Sequence, residues 1–281
     1  MFSKIAVTRA SVKREHLDKC NSGLGRYFDL VYLMLRRLVR LRNRHYVPVT
    51  PANLVERVTA GVYWDIHDYL KGKERQKFQR FFGELLQVYV SKAFQRMYPT
   101  APRLTPRVFF DPKYKTGRQE QRGSDVIVFS PGQAVFLDVT VGRLRMEQTI
   151  TTGSIHSFRQ DVRAKILHTA KELDRSIRDF KSGKLTLREW RPADIRQYFP
   201  VIVTVSPLPL VPVVYDEVLQ MVQAEGLLQD KGIQPLQMLC LEDVEFLEAL
   251  VQSGIPLEQV LREKISDQQY ASFPEVSSKS V

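Results

Sequence analysis

The stretch RGSDVIVFSPGQAVFLDVTVGRLR, Arg122 to Arg145, holds two short apolar runs, and each carries one aspartate: Asp125 opens the first and Asp138 sits near the end of the second. Runs of this length rich in Val, Ile and Phe read as strands, and SPGQ between them, with Pro131 and Gly132, reads as a hairpin turn. Along the second run Leu137 and Val139 face one side and Asp138 and Thr140 the other, because side chains alternate. A hairpin closed at Pro131 and Gly132 sets Asp125 beside residues near Asp138. Two carboxylates at adjacent strand positions repel unless a cation sits between them, and hard oxygen ligands favour Mg²⁺ or Mn²⁺. Taken singly, each acid also has a plainer role open to it: Asp125 as a turn cap, Asp138 as the partner of a neighbouring arginine.

Working outward, the first third reads as helical. Apolar positions at helical spacing run from Leu24 to Leu41, a Thr-Pro start signal stands at Thr50, and an amphipathic helix is expected from about Lys73 to Tyr98, ended by Pro99 and Pro102. RVFFDPKY around Phe109 adds a strand before the two already described. A long helix follows, with Val162, Ile166, Ala170, Leu173 and Ile177 as its apolar stripe and Gly183 as its stop. FPVIVTVSP from Phe199 is a continuous apolar run, as in a strand buried on both faces. A helix from about Tyr215 to Leu228, a strand at Leu236 and two more helices complete the chain. This order calls for an α/β (α+β) fold in which helices cover a mixed central sheet.

Charge is unevenly spread. Met1 to Tyr215 carries 38 Lys plus Arg against 19 Asp plus Glu, a net of +19, whereas Asp216 to Val281 carries 4 against 12, a net of −8. A strongly basic body steers and holds a polyanion, and nucleic acid is the commonest one in a cell. Arg36, Arg40 and Arg44 recur every four residues, which places them on one face of the expected helix beside Arg37; phosphate contact and a plain solvated face are both open there. The acidic end could dock on the basic body, bind a basic protein partner or aid solubility. The two cysteines, Cys20 and Cys240, form no Cys-x-x-Cys pair, so neither a zinc site nor a disulfide framework is expected and the chain reads as cytoplasmic. FDLVYLMLRRLV from Phe28 is broken by Arg36 and Arg37 before membrane-spanning length and has no signal-peptide layout. No P-loop is present.

The succession of a helix carrying Glu84, a strand opened by Asp125, a hairpin, a strand with Asp138-Val139-Thr140, a helix and a buried strand resembles the PD-(D/E)XK nuclease superfamily over roughly Lys73 to Leu208. The resemblance implies a restriction-endonuclease-like α-β-β-β-α-β core in which Glu84, Asp125 and Asp138 hold one or two divalent cations, Mg²⁺ or Mn²⁺. Thr140 stands where that family has its lysine. Threonine cannot supply an ammonium charge. At 100° per residue Lys165, Thr169 and Glu172 share one edge of the long helix, so Lys165 is the leading substitute, as migrated lysines are known in the superfamily. Arg143 and Arg145, just past the strand, are alternatives for charge stabilisation, and His156 and His168 for metal binding or proton transfer.

Two functions follow from the resemblance. One is a metal-dependent nuclease cutting DNA, with RNA less favoured, in a setting such as restriction, transposition or antiphage defence. The other is a catalytically reduced nuclease fold that binds nucleic acid or scaffolds a partner. The expected organisation is a basic helical region over residues 1–72, the nuclease-like core over 73–215 and an acidic α/β region over 216–281 packed on it.

Overall fold

The computed structural model describes residues 6–8, 38–40, 46–48, 51, 60–99, 107–141, 159–160, 162–205 and 212–266. The chain forms two compact units, Met1–Gln79 and Arg80–Val281.

In the first unit, strand β2 (Leu38–Arg40) pairs in parallel with β1 (Ala6–Thr8) and antiparallel with β3 (Tyr46–Pro48). The helix expected through Leu41 is therefore absent at Arg40, which lies in a strand and not on a helical arginine face. In Leu38-Val39-Arg40 a β-branched residue is centred between two partner strands, and that pairing overrides the local helical spacing. Arg36, Arg37 and Arg44 lie outside the described residues. Helix α1 (Ala60–Tyr69) is followed by α2 (Gly72–Met97), whose first turns stay in this unit. There Tyr63 packs its ring on Phe78, and the Arg75 Nε donates to the carbonyls of His67 and Leu70, closing the α1–α2 turn.

The second unit is built on a five-stranded mixed sheet. Its strands are β4 (Val108–Phe110), β7 (Val126–Ser130), β8 (Gly132–Thr140), β9 (Ile195–Thr204) and β10 (Gln237–Cys240), in the order β10-β9-β8-β7-β4. β4, β7 and β8 are antiparallel, while β8, β9 and β10 run parallel. Between β4 and β7 the chain makes a separate two-stranded hairpin, β5 (Lys113–Thr116) and β6 (Gln119–Arg122). The single strand expected around Phe109 is thus split. Asp111 takes a left-handed φ of 40° and Pro112 lacks an N–H, so the ladder stops there and the chain turns away.

Helix α3 (His168–Lys181) crosses from β8 to β9 and is preceded by a π turn, Arg163–Leu167. Helix α4 (Pro212–Ala224) precedes β10, and α5 (Leu241–Gln252) and α6 (Leu257–Ser266) follow it. The acidic residues from Asp216 onward thus supply part of α4, a sheet strand and two helices. Alternation divides the sheet between two cores. Ile127, Phe129, Phe136 and Ile202 pack against α3 and α4, whereas Val126, Leu137, Val201 and Val203 pack against α2, α5 and α6. Both faces of β8 and β9 are covered, which explains their unbroken apolar runs. Among the described residues no helix is long and apolar enough to cross a membrane.

Phe129 is the hub of the first core, stacked on Trp190 with ring centres 4.9 Å apart and meeting Phe109, Phe136 and Phe180. Phe129→Ala leaves a cavity that the surrounding rings cannot fill by collapse. It is expected to lower the free energy of unfolding in urea by about 3–5 kcal/mol.

Candidate active site

The register Val126↔Leu137 ends the β7–β8 ladder just before Asp125 and Asp138. Beyond that rung the two aspartates take over the pairing. The Asp125 N–H donates to Asp138 Oδ1 at 2.9 Å, and the Val139 N–H donates to Asp125 Oδ2 at 2.8 Å. Each carboxylate thus satisfies an N–H on the opposite strand. From α2, the Gln87 amide donates to Asp125 Oδ1 at 3.0 Å. By alternation with Phe136, Asp138 projects toward the α3 side of the sheet, whereas Asp125, in the bend before β7, is reached from α2 by Gln87. Asp138 lies at the carboxyl end of β8, on the edge where the parallel strands β8, β9 and β10 end and open α/β sheets place their ligands, and Asp125 lies beside it at the start of β7.

The surroundings are apolar and acidic. Asp138 is 7 % exposed and Asp125 is partly buried. Burial holds the Asp138 carboxyl well above the usual range, and the charge of Asp125 raises it further. Asp125 is raised to about 6, again by burial first; the Val139 N–H and the Gln87 amide pull it down, while Asp111 and Glu172 push it up. Glu172 acts on both aspartates. The buried Ser124 hydroxyl beside them pulls the Asp138 carboxyl down as a side-chain donor, and its backbone N–H donates to Ser176 Oγ at 3.0 Å. One face of α3 therefore runs along this region: Asp179 accepts from the Tyr114 hydroxyl at 2.5 Å, Ser176 meets Ser124, and Glu172 acts on the two aspartates.

The other expected site residues are placed differently. Glu84 lies on α2 one turn before Gln87 and is exposed. At 100° per residue it sits roughly 60° farther round the helix than Gln87. Leu86, Val90, Phe94 and Met97 fix that rotation by facing the core, so Gln87 and not Glu84 reaches Asp125. Among the described residues no group of three or more His, Cys, Asp or Glu is gathered as a metal site. Thr140 is half-buried at the end of β8, in register with Thr204. Lys165 is half-buried in the π turn, and its carbonyl accepts from Thr169 Oγ1 at 2.9 Å. It lies seven residues before Glu172, about 10 Å along the axis, and the π turn shifts the angular phase on which its alignment with Glu172 was expected. His168 pairs with Glu172 at 3.5 Å. Arg143, Arg145 and His156 lie outside the described residues.

The residue missed from the sequence is Gln87. Its only signal is the position one turn after Glu84 on the edge of the apolar stripe.

No family model matches the chain, and no curated protein or solved structure is significantly similar to it. The site therefore rests on its own chemistry. Two partly desolvated carboxylates share backbone donors, and among the described residues no cationic side chain forms an ion pair with either of them. Such a pair accepts a proton or a cation.

Raised carboxyl values bind protons in the folded state more tightly than in the unfolded one. The stability tied to them is complete below the ordinary value of 3.8 and is lost as pH rises through about 6. For Asp125 the loss is on the order of 2–3 kcal/mol. Asp138→Asn keeps an oxygen acceptor for the Asp125 N–H and removes the buried charge. In metal-free buffer the wild-type melting temperature should fall between about pH 4 and 7. Asp138→Asn should flatten that slope and melt higher at neutral pH.

Proposed function

We propose that the chain is a divalent-cation-dependent nuclease whose substrate is DNA. The observation that carries this reading is the desolvated Asp125–Asp138 pair at the edge where the parallel strands end, with no cationic side chain paired to it among the described residues. Mg²⁺ and Mn²⁺ take oxygen ligands, and Mg²⁺ is commonly held by only one or two carboxylates together with waters and substrate phosphate. The donor set fits that habit. When bound, the cation supplies Lewis-acid activation of a phosphate and of a water. Asp125 and Asp138 hold it; Gln87 fixes the direction of Asp125; Thr140, on the Asp138 side of β8, can hold a water through its hydroxyl. Asp111 and Glu172 are the acids whose field reaches the pair, Glu84 stands on α2 one turn before Gln87, and Lys165 remains the leading source of auxiliary positive charge after the second acid.

The order of elements supports the likeness to the PD-(D/E)XK superfamily, with a restriction-endonuclease-like core over α2 to β9. That likeness would place the chain among restriction, transposition or defence systems. A second reading is favoured by one observation, the threonine at position 140: a nuclease fold that binds nucleic acid without cutting it, with the acidic region from Asp216 as a protein dock.

The test uses purified protein with linear and supercoiled DNA, and with RNA, in Mg²⁺, Mn²⁺ or EDTA. DNA cleavage should require the cation and be abolished in Asp125→Ala and Asp138→Ala. Gln87→Ala should lower the apparent affinity for the cation by about tenfold to a hundredfold, as expected for a group that orients a ligand. Salt-sensitive binding with no cleavage under any cation would support the second reading and end the first.

A further inference from the structure

Residues 113–122 form a hairpin that contributes almost nothing to the core. Only Tyr114 is buried, and every residue from Lys115 to Glu120 is exposed. Isolated two-stranded hairpins are marginal in water, so this one needs an anchor. Tyr114 provides it by donating its hydroxyl to Asp179 on α3, and the stem is closed by Gly123 N–H to Pro112 O at 2.8 Å and Asp111 N–H to Asp125 O at 3.0 Å. Gly123 has no room for a side chain, because a Cβ would stand 2.9 Å from the Pro112 ring. The last of these bonds ties the stem to the backbone of an active-site aspartate. The hairpin therefore starts at the site and projects from it.

Register and alternation sort its side chains. Tyr114 faces α3, so Lys113 and Lys115, with Arg122 and Glu120 opposite them, face away, and Arg118 occupies the turn after Gly117. Residues 113–122 carry four cations and one carboxylate, a net of +3. Lys113 stands directly opposite Arg122, a like-charge pair that weakens a hairpin. Asp111 at 3.4 Å from Arg122 and Glu120 at 3.5 Å from Lys113 offset the repulsion only in part, since all four groups are solvated. A fold gains nothing in stability from such an arrangement; a polyanion ligand does gain from it.

We infer that the β5–β6 hairpin is a duplex-DNA-binding ribbon that grips the phosphate backbone and leads it to the Asp125–Asp138 site. The choice of partner rests on the nuclease reading. Lys113 and Lys115 are about 7 Å apart on one face, a separation short enough for both to meet the closely spaced charges of one DNA strand. A two-stranded ribbon fits the major groove of B-form DNA, whereas the deep, narrow groove of duplex RNA does not admit it.

Binding of a short labelled duplex is measured by fluorescence anisotropy in EDTA, where no cleavage occurs, across about 50 to 300 mM salt. The variant Lys113→Gln/Lys115→Gln/Arg118→Gln/Arg122→Gln retains Tyr114 and should melt like the wild type. It should bind about tenfold or more weakly at low salt, with the slope of log affinity against log salt reduced by about 2 to 4. Glu120→Lys, which removes the one acid on the outer face, should bind more tightly and steepen the slope by about 1. Unchanged binding in both variants, or an effect confined to duplex RNA, overturns the inference. A protein that binds through the hairpin but never cleaves refutes the nuclease reading alone; one that cleaves with wild-type salt dependence after the four substitutions refutes the hairpin alone.

Discussion

The bonds by which the Asp125 and Asp138 carboxylates each accept an N–H of the opposite strand, that of Val139 and that of Asp125, are the constraint on which the site depends. A β-ladder that stops leaves N–H groups without partners, and at the end of β7 and β8 those groups are already half out of water. The two aspartates replace the missing rung, each accepting the N–H of the opposing strand. The side chains are thereby fixed without help from a loop. The cost is electrostatic: two carboxylates are drawn from water and set against each other, which raises both toward protonation. Two desolvated carboxylates side by side are the consequence of how the ladder ends.

Helices α2 and α3 bracket that point from opposite faces of the sheet. α2 is rotated by the burial of Val90, Phe94 and Met97, and Gly83 comes to lie against Val141, where a Cβ would stand 3.3 Å from its methyl. Gln87 then falls within reach of Asp125. α3 is rotated by Ala170, Leu173 and Ile177, with Ile166 of the preceding π turn, which leaves Thr169, Glu172, Ser176 and Asp179 along the edge that follows β7 and the hairpin. A single helix face thus holds the β7 start through Ser176 and the hairpin through Asp179, coupling the position of the basic ribbon to that of the carboxylates.

Much of this was legible in the sequence because it is local. The hairpin closing at Pro131 and Gly132, the alternation that puts Asp138 on one face, and the period of α2 and α3 all depend on neighbours within a few residues. What was not legible depends on partners far away. Leu38–Arg40 has helical spacing but becomes a strand between β1 and β3. KYKTGRQEQR has no apolar alternation, since only Tyr114 is buried, so nothing in its composition announced a hairpin. Glu84 and Gln87 differ by roughly 60° on the helix, a rotation decided by packing and not by residue type. The π turn at Arg163–Leu167 has no sequence signature, and it alters the phase on which the alignment of Lys165 was reckoned.

The threonine at position 140 weighs against catalysis, and the two aspartates weigh for it; their energetics are not equal. Thr140 is half-buried in register with Thr204, whose hydroxyl donates to Leu239 O, so small hydroxyl side chains suit the end of this parallel ladder and cost nothing there. A threonine at this place needs no functional reason. Two buried carboxylates do. They reduce stability at neutral pH, and they repel the phosphate that the basic hairpin beside them would attract. A protein that only held DNA would bind more tightly and fold more stably with neutral residues at both positions. On the proposed reading, a cation standing between the acids and the polyanion would account for acids at the base of a basic ribbon, as in a metal-assisted phosphodiesterase.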